Sequence, residues 1–597
     1  MKFLLVAINA KYIHSNPAIY SLRAYAEERI REHIELAEYT INQYMQDILA
    51  DIYNRKPDVI GFSCYIWNWT LVKELLVEMP KVLPNTDIWL GGPEVSYDAD
   101  KIMEEFPQLT GIMIGEGEAT FRQVAEYYLE RETESRAAEK PIEQSTEQSG
   151  SRVKEELTEQ GRIGKRNPED IPGLYLKSGY TPMRPLTDLS SIPFLYSDLT
   201  PFENKIIYYE TGRGCPYRCS YCLSSIDKAV RLRDIGVVKK ELQFFLDNRV
   251  KQVKFVDRTF NCNYEHAMAV WQYIKDNDNG VTNFHFEISA DILRQDEIEL
   301  LNSFRPGLAQ LEIGVQTVNP QTLKAIRRVM DVDRLERIVA DIQKGRNIHI
   351  HLDLIAGLPY ENYESFGQSF DRVYGMRPEQ LQLGFLKVLK GSEMWEKAKE
   401  YGICYLDKPP YEVLYTKWLS YDEVLRLKDI EEMVELYYNS GQFTGTLPVL
   451  EQVFESPFAM YERLAAFYRE NGYVTNCPAR AYRYEIMLQF AEKYDRSRLS
   501  LYRELLTYDM YLRENLKSRP EFAADISLYK KEIREFYRRE EAEHRYLPDY
   551  EGYDSRQLEK MTHLEPFTYP EPHFVLFDYR NRNPLNYEAH TQDVYIL

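Results

Sequence analysis

Residues 211–222 read Thr-Gly-Arg-Gly-Cys-Pro-Tyr-Arg-Cys-Ser-Tyr-Cys, directly after the β-rich run 205–210 (KIIYYE). Cys215, Cys219 and Cys222 thus have the spacing C-x3-C-x2-C at the end of a predicted strand. Thiolates are preferred ligands of soft metals and iron–sulfur clusters, and a tight loop lets three of them converge without a long ordered chain. A structural zinc site wants four closed ligands as paired Cys or Cys/His units, and no second pair lies nearby. Unliganded burial suits a lone cysteine better than three at this spacing. The loop is therefore expected to hold a metal cluster with an open coordination position. The other cysteines, Cys64, Cys262, Cys404 and Cys477, are scattered and suggest no second centre.

Working outward, strands are predicted at 205–210, 252–257, 284–288, 310–315, 348–355 and 380–386. Between them lie stretches with helical spacing of apolar residues, such as 264–276 and 332–344. Six βα-type repeats predict a partial (β/α)6 barrel whose site lies where strands enter their following loops. Upstream, short runs at 2–8, 34–42, 57–63, 87–92 and 111–115 alternate with helical stretches such as 17–31 and 69–82. That pattern predicts a Rossmann-like parallel sheet covered by helices. Residues 131–172 are dominated by polar and charged side chains and bury too little to offset their ordering entropy, which predicts a flexible polar linker. After about 395 the periodicity is mostly helical and strongly aromatic, with Ser420 and Glu423 at capping-box spacing. This region is expected to cover the barrel mouth, and 574–580 (FVLFDYR) to return as a strand to a neighbouring sheet. The predicted organisation is an α/β chain with domains at 1–130, 173–394 and 395–597, the last mostly helical.

Composition limits the function classes. The 597 residues carry 74 basic and 94 acidic side chains, a net charge of -20, which disfavours nucleic acid as a partner. Aromatics at 13% exclude a disordered chain. No apolar run is long enough to span a membrane, and the start breaks to polar residues too soon for a signal peptide. Seven cysteines are too few, and odd in number, for a disulfide framework, so a cytoplasmic protein is predicted.

The cysteine motif, with Tyr221 before its third cysteine, resembles the hallmark of the radical S-adenosylmethionine (SAM) superfamily. The resemblance implies a 4Fe-4S cluster on Cys215, Cys219 and Cys222, with SAM chelating the fourth iron and being cleaved reductively. Asp257, Arg258 and Thr259 (VDRTFN), Glu287 (FEISAD), Gln316 (EIGVQT), Arg327 and Gly357 (IAGLP) follow successive predicted strands and, with Tyr221, match the order of the family's SAM contacts. Residues 1–130 resemble the cobalamin-binding domain of one large branch. Ser63 (GFSCY) and Gly91-Gly92 (WLGGPE) match its serine and double-glycine motifs, and Gly115–Glu118 (GEGE) is typical of it. The lower-ligand motif D-x-H-x-x-G is absent, leaving His14 (NAKYIHSNP) as the candidate cobalt ligand.

The resemblance implies an oxygen-sensitive radical SAM enzyme of an uncharacterised subgroup with an extra C-terminal domain. It would use cobalamin to modify an unactivated carbon of a small-molecule or unknown substrate, by methyl transfer or radical rearrangement. An electron donor such as a flavodoxin or ferredoxin is implied as partner. No catalytic side chain is assigned. Two alternatives are an iron–sulfur electron-transfer or sensor protein, and a tRNA-modifying methylthiotransferase. The latter needs further clustered cysteines that the N-terminal region lacks.

Overall fold

The computed structural model describes residues 1–138, 167–227, 229–476 and 478–595. It divides into two compact units. The first comprises 1–258 with 387–398 and 405–412, and the second comprises 259–386 with 399–404 and 413–597.

In the first unit, β1 (Phe3–Asn9), β2 (Ile34–Thr40), β3 (Val59–Ser63), β4 (Asp87–Gly91) and β5 (Gly111–Met113) form a parallel sheet in the order β2-β1-β3-β4-β5. A parallel strand covered on both faces should be apolar throughout, and β1 is so from Phe3 to Ile8. Leu4, Val6 and Ile8 enter one core with Trp69, Val72 and Leu76 of helix Trp69–Val82. Phe3, Leu5 and Ala7 enter the other with Phe121, Val124 and Tyr128 of helix Glu118–Ala138. That helix runs past the predicted boundary at 130, and most of the predicted polar linker lies outside the described residues.

The sheet then departs from the expected all-parallel plan. β6 (Leu174–Leu176) and β7 (Gly179–Tyr180) add antiparallel to β5, so the stretch from 173 onward completes the N-terminal sheet before the next strand begins. The reason is the edge. β5 would otherwise present unpaired backbone groups, and the short hairpin covers them while burying Leu174 and Leu176.

Further along the first unit come β8 (Ile207–Tyr209), β9 (Gly212–Arg213), β10 (Arg231–Leu232) and β11 (Gln252–Phe255). β8 pairs with β11 in parallel and β9 with β10 antiparallel. The second unit contains β12 (Asn283–Ile288), β13 (Ala309–Gln316), β14 (His349–Ala356) and β15 (Gln380–Phe385), all parallel in that order, with a register shift near the end of β13. All six strands predicted for the central region are present.

The region after 395 is largely helical, as predicted. Helix Tyr421–Met433 starts at the Ser420–Glu423 capping box and continues as a π-helical stretch, Val434–Asn439. Asn439 is thereby brought to edge strand β15, where its side chain accepts from Leu381 N and donates to Leu381 O, both at 2.9 Å. At the carboxyl end of β14, Tyr360 packs on Trp418 with ring centroids 4.4 Å apart. The strand expected to return to a neighbouring sheet does otherwise. His573–Asp578 pairs antiparallel with Thr562–Phe567 and His590–Val594, making a sheet of its own. Leu564, Leu576 and Val594 are buried with Phe536 and Tyr537, while Phe567, Val575 and Phe577 are buried with Tyr511. With both faces supplied from nearby sequence, the strands need no distant partner.

Candidate functional site

The cysteine loop is closed at its base by the β9·β10 pair, in which Gly212 faces Leu232 and Arg213 faces Arg231. Gly214, next to the first cysteine, has φ +94°, and a Cβ there would lie 2.4 Å from Ala229 O, so only glycine lets the two sides of the loop meet. Cys215 N donates to Asp227 O at 3.3 Å, and Cys222 N to Cys219 O at 3.1 Å. Cys215 and Cys219 are buried and Cys222 half-buried, none of them in a disulfide. Three unbridged thiols on one pinned loop are a soft donor set, which fits an iron–sulfur cluster.

Asp257, at the end of β11, is buried behind this loop. Its Oδ2 accepts from Thr211 N at 2.9 Å and its Oδ1 from the Thr211 hydroxyl at 2.7 Å. Burial pushes its carboxyl up to about 7, and the Thr211 bonds only partly oppose that. The carboxylate expected to contact SAM is thus engaged in tying β11 to the start of the cysteine loop.

An ion-pair network, not foreseen from the sequence, joins the loop to the N-terminal sheet. Arg213 lies 2.8 Å from Glu210, 2.9 Å from Glu118 and 3.2 Å from Glu116, and Arg231 lies 2.6 Å from Glu116. The signal was GEGE itself, whose two acids need cations once partly buried. Burial alone would raise the Glu116 carboxyl, but bonds from Arg231 and Thr187 N and the nearby Arg213 charge hold it at about 2. Glu116→Gln is expected to cost roughly 2 kcal/mol at pH 7, the scale of hydrogen bonds to charged groups. A carboxyl depressed from 4.5 to about 2 stabilises the fold fully above its unfolded value and progressively less as pH falls toward 2. Denaturant melts of wild type and E116Q should therefore converge on acidification. A gap that stays constant from about pH 7 to about pH 3 would contradict the assignment.

The first unit also contains a half-open cavity of about 830 Å³, at the upper end for small-molecule sites. Ser63, Gly91 and Gly92, at the carboxyl ends of β3 and β4, form part of its wall, as do Gly115 to Glu118. Gly212 to Gly214, Leu223 and Ile226, around the cysteine loop, also line it, together with Arg258. Gly92 has φ +110°, and a Cβ there would lie 2.5 Å from Cys64 O. His14 is absent from this wall, and its Nδ1 lies 2.6 Å from the Tyr208 hydroxyl. Burial and the charges of Lys11 and Lys254 lower its pKa. Tyr221 is half-buried within the loop.

The remaining predicted positions lie in the second unit. Thr259 is buried just after β11, and Glu287 is on β12. Gln316 sits at the irregular end of β13 with φ +74°. Its Oε1 is buried and accepts no hydrogen bond among the described residues. Arg327 has φ +53° after the short helix Pro320–Ala325, and Gly357 has φ +88° after β14.

Sequence reasoning missed a feature of these strands. Parallel strands covered on both faces should be continuously apolar, yet β12, β13 and β14 alternate. Their register places His285, Glu287, Gln310, Glu312, His351 and Asp353 on one face, and Phe286, Leu311, Ile313, Ile350 and Leu352 on the other. The alternation in HFHFEI, QLEIGVQ and HIHLDLIA was a visible signal of a polar lumen.

Comparison with known proteins matches residues 4–125 to the B12 binding domain and 209–373 to the radical SAM superfamily. Residues 399–577 match a protein family of unknown function, DUF4080. A cobalamin-dependent radical SAM methyltransferase, TokK, from Streptomyces tokunonensis is 23% identical over 65% of this chain and 56% of its own length. The chain spans about half the length of the curated relatives it matches first. Among solved structures, the radical SAM methyltransferase TsrM from Kitasatospora setae, with cobalamin and a [4Fe-4S] cluster bound, aligns with TM-score 0.52 at 17% identity. That alignment covers 69% of this chain and 82% of TsrM. The cobalamin-dependent SAM radical enzyme OxsB aligns with TM-score 0.54 at 14% identity, covering 87% and 77%. These structural likenesses speak to the fold. Among the described residues no helix is long and apolar enough to cross a membrane.

Proposed function

We propose that this chain, whose successive regions match the B12 binding domain, the radical SAM superfamily and DUF4080, is a cobalamin-dependent radical SAM enzyme that methylates an unactivated carbon of a small-molecule substrate. One observation carries the proposal. The cavity is walled on one side by Ser63, Gly91 and Gly92 and on another by the cysteine loop, within a single compact unit. The three cysteines are not themselves in the wall, but Gly214 and Leu223, the residues flanking them, are, so a corrinoid seated against the glycines would lie beside the loop that carries the cluster.

When bound, the cluster supplies an electron to SAM and the corrinoid serves as a methyl carrier. Cys215, Cys219 and Cys222 would hold the cluster, leaving one iron for SAM. Asp257 acts as a positioning residue, because its two bonds to Thr211 fix where the loop begins. The side-chain-free surface at Gly91 and Gly92 admits a bulky planar group against the sheet, and Arg258 and Tyr221 serve SAM. Thr259, Glu287, Gln316, Arg327 and Gly357 remain proposed SAM contacts by their match to the family pattern, with the buried Gln316 Oε1 poised to accept from a ligand. The corrinoid would be held without His14, which does not line the cavity. Largely apolar walls exclude water from the reacting groups. A cytoplasmic setting suits cysteines outside disulfides, and an external one-electron donor of the flavodoxin or ferredoxin class completes the scheme.

The test is anaerobic reconstitution with iron and sulfide, with and without hydroxocobalamin, followed by SAM and a reductant. Formation of S-adenosylhomocysteine is expected to rise at least tenfold with the corrinoid, about 1.4 kcal/mol in barrier. SAM turnover that ignores the corrinoid, or none from a sample with full cluster iron, would sink the proposal.

A further inference from the structure

Two stretches that follow the central strands in sequence, 387–398 and 405–412, belong to the first unit. They pack on each other, with Lys387 opposite Glu412 and Val388 N donating to Tyr411 O at 3.0 Å. Together they grip the turn that follows Gly91 and Gly92. Lys390 Nζ lies 3.3 Å from Glu94 Oε1 and 2.8 Å from Asp98 Oδ2, and the Tyr411 hydroxyl donates to the same Glu94 oxygen. Gly391 has φ +82°, and a Cβ there would lie 2.3 Å from the Tyr97 ring, so backbone rests directly on that side chain. A few residues further on, the buried Met394 donates its N–H to Ser220 O at 2.8 Å, between the second and third cysteines of the loop.

From this geometry, and granting the function proposed above, we infer that Lys390 is a positioning residue for the corrinoid seat, holding the 92–98 turn from a strap that is itself bonded to the cysteine loop. Pro93, Ser96 and Tyr97 of that turn line the cavity, so where the turn sits decides the shape of the wall. Glu94 is buried and Asp98 is less than a fifth exposed, and the cation that pairs with both is Lys390. Burial pushes the Glu94 carboxyl up, and the Tyr411 and Lys390 contacts oppose that. Removing one partner of a poorly hydrated ion pair leaves the other charge uncompensated, a larger loss than deleting both. Without the ammonium, the Glu94 and Asp98 carboxylates would face each other where water reaches them poorly. The turn is the part that yields, because β3 and β4 are held by their own ladder. Ser220 is fixed from the same strap, so the seat and the cysteine loop share one short support.

The experiment uses the full chain, reconstituted anaerobically with iron and sulfide, loaded with hydroxocobalamin and desalted, with corrinoid and iron counted in the same sample. Lys390→Met is expected to lower corrinoid retention roughly tenfold at unchanged iron, and Lys390→Arg, which keeps the charge, to retain most of it. Adding Glu94→Gln to K390M removes the repulsion and keeps an acceptor for Tyr411, so the double variant should retain more corrinoid than K390M alone. A residue that mattered only for packing would show no such recovery. Amide hydrogen exchange, measured without corrinoid, reads the turn directly: peptides covering 92–98 should exchange roughly tenfold faster in K390M than in wild type, with β1 and β3 unchanged. Equal exchange in K390M and wild type, a double variant no better than K390M, or a parallel fall of iron and corrinoid would each overturn the role of Lys390. Wild type that retains no corrinoid would sink the proposed function instead, and the exchange comparison would then decide by itself whether Lys390 holds the turn.

Discussion

Cys219→Ala is expected to abolish the brown cluster absorption and to reduce reductive SAM cleavage by at least a thousandfold, about 4 kcal/mol in barrier. The size follows from the donor count. On the proposed set of three loop thiols, losing one removes a third of the protein ligation. The loop's shape does not depend on the cluster alone. The β9·β10 pair, the Gly214 approach to Ala229 and the Thr211–Asp257 bonds do not involve Cys219 and are expected to persist in the variant. Its thermal unfolding without added iron should therefore match that of the wild-type apoprotein. Iron content, absorption and 5'-deoxyadenosine release are measured on one anaerobic sample. Undiminished SAM cleavage by C219A would return the chain to the class of proteins whose cluster has another role.

The second large effect is expected at Gly92. A side chain there must adopt φ +110°, and its Cβ would meet Cys64 O at 2.5 Å and Cys64 N at 3.1 Å, both backbone atoms that cannot swing aside. Gly92→Val adds β-branching to that conflict and should cost about 3–5 kcal/mol or force β4 away from β3. Either response distorts the cavity wall, so corrinoid retention should fall at least tenfold. Gly179→Ala separates the two causes. Gly179 has nearly the same φ, +113°, but a Cβ there meets nothing within 4 Å. That variant should show the conformational cost alone, roughly 1–2 kcal/mol, with corrinoid retained. Equal losses in the two variants would mean that the close approach to Cys64 is not what requires glycine at 92.

Much of the architecture follows from short-range pattern. The central strands, helices such as Trp69–Val82 and Tyr264–Asp276, and the capping box at Ser420 were legible because apolar spacing and cap chemistry act within a few residues. The elements that escaped are those whose partners are remote. β6 and β7 are too short to carry a periodic signal, and they exist because β5 needs an edge covered. Strand His573–Asp578 was foreseen as a strand, but its partners were decided by which nearby segments bury both its faces.

The candidate site divides in the same way. By itself the sequence determined the chemistry available: three thiols at a cluster-binding spacing, glycines at strand ends, and strands alternating polar with apolar residues. Only the tertiary structure decided where that chemistry is deployed. It engaged Asp257 with Thr211, removed His14 from the cavity wall, and brought Glu116 and Glu118 to Arg213 across roughly a hundred residues of chain. It also set Lys390 beside Glu94 and Asp98, far earlier in the chain. The physical reason is that residue type and local spacing act through backbone conformation, whereas burial, charge pairing and ligand geometry depend on the register of strands far apart in sequence, which no local pattern encodes.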